Sequence, residues 1–151
     1  MDGKQLFYRY ALSCIRDAEL EKRINNIERE ILLEQKADDK LLEKAFPHAW
    51  QGAKTESKGI SCQSVRRYFW FKHNSAQCKR PACIAWPAQV KEKKNDGWFV
   101  ELKPICKVMW VRTDLKLKTG DWVIVHRQVV AEKVSKADAD KVTKFLKSLF
   151  L

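Results

Sequence analysis

The 151-residue sequence has only five glycines and four prolines, no internal repeat and no low-complexity tract. With 45% hydrophobic residues this is the composition of a globular chain, and it excludes disorder as the organising state. No stretch approaches the roughly 18–20 consecutive apolar residues of a membrane span. The opening residues, Met1 to Tyr8, contain no long apolar run and so read as lacking a signal peptide. Also missing are paired carboxylates, a glycine-rich phosphate loop and a metal-hydrolase motif, so the chain is read as not being an enzyme. The five cysteines, Cys14, Cys62, Cys78, Cys83 and Cys106, are odd in number and irregular in spacing, which makes a poor disulfide framework. A cytoplasmic, reducing environment with free thiols is expected.

What the sequence does have is positive charge. Thirty lysines and arginines face nineteen aspartates and glutamates, a net charge of +11. The surplus is shared between residues 1–81 and 82–151, and it favours anionic partners: nucleic acid, an acidic protein face or an anionic membrane surface. Residues 57–91 contain no acidic side chain at all, while Tyr68, Phe69, Trp70 and Phe71 lie among their cations.

The hydrophobic period changes along the chain. Leu6, Tyr10, Leu12 and Ile15, then Leu20, Ile24, Ile27 and Ile31, recur at helical spacing and predict helices over residues 4–45. Asp38 or Asp39 is a plausible N-cap for a short helix through Ala45, which Pro47 ends. Residues 49–60 read as loop. Ser61 is expected to cap a further helix to about His73, with a linker over residues 74–81. From Cys83 the period falls to two. Strands are expected at 84–90, 98–102, 105–111, 122–125 and 129–130, punctuated by turns at Asn95-Asp96-Gly97 and Lys118-Thr119-Gly120-Asp121. Ser135 is placed to cap a last helix, Lys136 to Leu149, with Val142, Phe145, Leu146 and Leu149 on its apolar face. The expected class is α+β, with a helical module at residues 1–81 and a small antiparallel β-barrel plus C-terminal helix at 82–151.

Three segments of the second half carry a resemblance. Cys83-Ile84-Ala85-Trp86-Pro87-Ala88-Gln89-Val90 resembles the opening Met-Cys-Leu-Ala-Ile-Pro-Gly-Lys-Val of the HypC/HupF family of hydrogenase assembly chaperones. Gly120-Asp121-Trp122-Val123-Ile124-Val125-His126 resembles that family's Gly-Asp-Tyr-Val-Leu-Val-His. Val130 to Val134, with the Ser135-capped helix after it, resembles the family's last strand and helix. Order and spacing agree over roughly residues 82–151. The sequence departs from the pattern in three places. Cys83 lies far from the N-terminus, Ala88 replaces a glycine, and Gln128-Val129-Val130 replaces Gly-Phe-Ala. The resemblance implies an OB-like barrel that carries iron bearing cyanide and carbonyl ligands between a scaffold protein and the large subunit of a nickel–iron hydrogenase. It also implies that Cys83, with His126, meets the iron, a soft centre that suits thiolate and imidazole. Trp86 and Pro87, in the same motif, are the expected partner contacts.

Each of these residues has a plainer structural reading. Cys83 is a potential metal ligand or nucleophile, and equally a small buried hydrophobe. Cys62, His73, Cys78 and Cys83 could be assembled into a zinc set, at wider spacing than zinc sites usually show. Cys78 and Cys83, flanked by Lys79 and Arg80, could also form a redox-labile pair. The alternative function is a nucleic-acid-binding OB-like module on the basic aromatic segment 57–91. Arg66, Arg67, Lys72, Lys79 and Arg80 would hold phosphates there, and Tyr68 and Trp70 would stack on bases. The opposing reading makes that aromatic run a core contact.

Overall fold

The computed structural model describes residues 1–55 and 59–150. Ser57 and Lys58, the start of the acid-free stretch, therefore lie outside the described residues. The chain forms two compact units, Met1–Lys72 and His73–Leu151. The fold is α+β: a helical first unit, then a second unit built on an antiparallel sheet with a C-terminal helix. No helix among the described residues is long and apolar enough to cross a membrane.

The first unit contains α1 (Gly3–Ala11), α2 (Ile15–Leu20), α3 (Asn26–Leu33), α4 (Asp39–Ala45), α5 (Pro47–Ala53) and α6 (Cys62–Arg67), which runs into a π-helical turn over Tyr68–Lys72. Polar caps set the starts. The Asp2 carboxylate accepts the Gln5 N–H while the Gln5 side chain accepts the Asp2 N–H. Asn25 and Glu28 exchange the same pair of bonds. Asp38 is the cap of α4, and Ser61 that of α6. The core is aromatic: Tyr10 stacks on Phe69 at 4.7 Å, and Phe7 meets Trp50 edge-on at 5.3 Å.

Two expectations for this unit are corrected. The apolar stripe does not continue through α3: Leu20 is 69% and Ile27 74% exposed, while Ala18 and Leu32 are buried. Lys22, at φ 59°, takes the left-handed conformation that ends α2. The Asn25 cap then restarts the helix, so its inward face turns from Ile27 to Leu32. Residues 49–53, expected as loop, are helical. Pro47 occupies the first turn of α5, where its fixed φ and missing donor suit a helix start.

In the second unit α7 (His73–Ala76) and a 3₁₀ turn over Pro81–Cys83 precede β1 (Ala85–Lys94). There follow β2 (Gly97–Leu102), β3 (Lys107–Val111), β4 (Trp122–His126), β5 (Val129–Val134) and α8 (Lys136–Phe150). The sheet order is β3-β2-β1-β4-β5, every pair antiparallel. The long β1 serves both neighbours: Ala85–Gln89 pairs with β4, and Ala88–Lys94 with β2, with a bulge between Val90 and Glu92. The two edges, β3 and β5, meet in one isolated parallel bridge, Arg112 to Val129. That single bridge does not close the sheet, so the expected barrel is an open five-stranded antiparallel sheet. Ser135 accepts the Asp138 N–H, and α8 lays Ala139, Val142 and Leu146 into the core.

Pro87 sits in a central strand, where proline normally forfeits a ladder bond. Its carbonyl accepts the Lys103 N–H on the β2 side. The missing donor faces the same side, at the last pairing of that ladder, where β2 is ending, so at most one terminal bond is forfeited. Ala85, two residues earlier, also points its polar groups away from β4. There Asn74, fully buried, takes the place of a strand: its side chain accepts the Ala85 N–H at 2.8 Å and donates to the Ala85 carbonyl at 3.1 Å. Residues 74–76, expected in a linker, thus belong to α7 and fix the start of β1.

Candidate functional site

Cys83 ends the 3₁₀ turn before β1 and is half-buried. Pro81 at the start of that turn fixes φ, and the Cys83 N–H donates to the Arg80 carbonyl at 2.8 Å. The thiol is therefore held at the entrance of the sheet and is not enclosed in the core. The Arg127 guanidinium donates to the Cys83 sulfur at 3.1 Å. Arg127 comes from the two-residue turn between β4 and β5, where both Arg127 (φ 52°) and Gln128 (φ 68°) are left-handed. Tight hairpins want positive φ at both positions, which Asn-Gly supplies with little strain. Each side chain here carries roughly 1 kcal/mol or more of backbone strain.

His126 lies beside this turn. Its register partner is Ala85, and because the polar groups of Ala85 go to Asn74, the pair is of the narrow, non-hydrogen-bonded kind. That places His126 on the strand next to β1, two residues along from Cys83. The imidazole is 1% exposed and meets the His73 ring edge-on, centroids 5.1 Å apart. Burial pushes the His73 imidazole down to about 4; a hydrogen bond with Asn74 opposes that shift and the Arg127 cation adds to it.

The remaining candidates are dispersed. Trp86 is 6% exposed, donates its indole N–H to the Pro81 carbonyl at 3.0 Å and stacks on Phe150 at 6.0 Å. It also lines a groove with Leu102, Met109 and Val125. Pro87 is buried within β1, opposite Ile124 of β4, which makes it a structural part and no partner contact. Of the zinc set, Cys62 lies in the first unit and His73, Cys78 and Cys83 in the second. No group of three or more His, Cys, Asp or Glu side chains among the described residues is arranged to hold a metal ion. Tyr68 and Trp70 are 8% and 6% exposed; the Trp70 indole donates to the Tyr10 hydroxyl, and both rings belong to the helical core. They present no stacking surface, which corrects that part of the nucleic-acid expectation. Arg66, 6.0 Å from the Trp70 ring, Arg67 and Lys72 lie in the first unit, and Lys79 and Arg80, both exposed, in the second.

Trp86, Leu102, Met109 and Val125 floor a groove of about 440 Å3, and Lys107, Arg127 and Gln128 stand at its sides. Pro81 and Ala82, just before Cys83, close one end. Reading the sequence missed Arg127 and Asn74. The signal for Arg127 was a two-residue turn between apolar strands without the glycine such turns favour. Asn74 gave none, because a lone asparagine between helix and strand usually marks a turn.

No protein-family model matches the chain, and no curated protein matches it.

Proposed function

We propose that this chain is a non-enzymatic accessory protein of the HypC kind, presenting Cys83, and in a second role His126, to an iron centre carried as cargo or to the partner that holds it. One observation carries the reading: the Cys83 thiol stands half-buried at the mouth of the sheet with the Arg127 guanidinium on its sulfur. A positive group there is the natural partner of a thiolate, the form that binds metal. Two protein donors are too few for a permanent site, which suits cargo handed on. His126 is buried against the His73 ring, so the imidazole would engage only once a partner shifts it. The second unit would act in a reducing cytoplasm, where its thiols stay free.

The test is isolation of the protein under anaerobic conditions from its own cells. Stoichiometric iron and infrared bands of bound cyanide and carbonyl are expected, and Cys83→Ala should lose both with an unchanged melting temperature. Iron retained by that variant overturns the role of Cys83; its absence from the wild type overturns the cargo.

A further inference from the structure

The groove beside Cys83 has the features of a peptide site. Its floor is aliphatic apart from the Trp86 edge, and its charged lining is Lys107 and Arg127, with no acidic side chain among the described residues. Lys107 is exposed and makes no ion pair among the described residues. The surrounding unit, residues 73–151, carries 16 basic and 8 acidic side chains, +8 of the total. Ile105, which lines the groove, is 47% exposed.

The backbone adds a second feature. β3 is an edge strand, and among the described residues its outer side is joined only just past its end, at Arg112–Val129. Its Lys107–Val111 stretch therefore offers main-chain donors and acceptors alongside the groove, an arrangement that accepts an added strand. An extended peptide places alternate side chains on one face, so apolar residues could enter the groove while the others stay outside. The strain at Arg127 and Gln128 fits this use. A turn of Asn-Gly would relax the backbone, but it would remove the guanidinium and the amide from the groove.

We infer that the groove between β3 and the β4–β5 turn binds an extended acidic segment of a partner protein. Aliphatic side chains of the segment would fill the floor, and its carboxylates would meet Lys107 and Arg127. Nucleic acid fits less well: stacking needs open aromatic faces, and the one ring at this groove, Trp86, is already stacked on Phe150. The inference builds on the proposed accessory role, and the two fail separately. Cys83→Ala removes the thiol from the iron reading, and it keeps every groove side chain while releasing the Arg127 guanidinium from the sulfur, so peptide binding should survive it.

The experiment uses the full chain. A random eight-residue peptide library is panned on the wild type, and the enriched sequences are measured by fluorescence polarisation, with a dT12 oligonucleotide as the competing anion. Enrichment of sequences that combine Asp or Glu with Leu, Ile, Val or Met is expected. Their affinity should fall at least tenfold in Lys107→Glu and in Met109→Lys, be retained or tightened in Cys83→Ala, which frees Arg127, and weaken as salt rises. A second Lys107 variant, Lys107→Gln, guards against misfolding and should give an intermediate loss. Enrichment of basic or uncharged sequences, affinity indifferent to Lys107 and Met109, no enrichment at all, or tighter binding of dT12 sensitive to the same variants would each overturn the inference.

Discussion

Asn74 does the work of a missing strand, and its removal should be severe. Both polar backbone groups of Ala85 are buried and satisfied by this one side chain. In Asn74→Leu each would be left without a partner, at about 1–3 kcal/mol apiece, so a loss of roughly 2–6 kcal/mol is expected. Small domains are stable by only about 5–15 kcal/mol, so the second unit would forfeit a large part of its stability. The chemistry also predicts a rescue. Asn74→Asp keeps the acceptor for the Ala85 N–H but sets a carboxylate against the Ala85 carbonyl. Protonation at low pH restores a donor, so this variant should gain stability relative to Asn74→Leu as the pH falls. Urea unfolding followed by tryptophan fluorescence, at pH 7 and pH 4.5, measures both effects. Hydrogen exchange at the Ala85 amide reports the bond directly. A loss below about 1 kcal/mol for Asn74→Leu, against the expected cost of a stranded buried group, or an Asp variant with no pH-dependent recovery, would contradict this role for Asn74.

The His73 imidazole, lowered by burial to about 4 against 6.5 in the unfolded chain, supports the fold above pH 6.5 and loses that support as pH falls towards 4. Between pH 7 and 4.5 the metal-free protein should lose about 2 kcal/mol that His73→Phe does not lose, as paired urea titrations would show. Replacing Arg127-Gln128 by Asn-Gly should relieve two left-handed side chains and raise stability by roughly 1–2 kcal/mol, seen as a higher melting temperature. It should also expose the Cys83 sulfur to a different rate of alkylation, read by mass spectrometry. Gly97→Ala would drive a methyl into the Trp110 ring and against the Val111 carbonyl, for a loss of about 1–3 kcal/mol in thermal unfolding.

Much of the architecture is legible in the amino-acid sequence. The switch from helical to alternating period, the Ser61, Asp38 and Ser135 caps and the Gly120 turn are local signals, each decided by a few neighbouring residues, and they place the sheet and the last helix correctly. Where local signals mislead, a competing interaction wins. A single left-handed residue at Lys22 resets the helical phase and puts Ile27 in solvent. Pro47 follows the end of α4 at Ala45 as expected, but it also begins α5 where loop was expected. The run of aromatics at Tyr68–Trp70 can be read as a binding face or as core, and only burial against Tyr10 decides for core.

The candidate site divides the same way. Chain order and strand period are enough to put a thiol before the first strand and an imidazole at the end of the fourth. Tertiary structure decides what surrounds them. The register of β1 on β4 brings the Arg127 guanidinium to Cys83, the His73 ring closes on His126, and an open β3 edge meets an aliphatic groove. These are contacts between residues tens of positions apart, and they depend on how the sheet curls. No local preference of the chain encodes them.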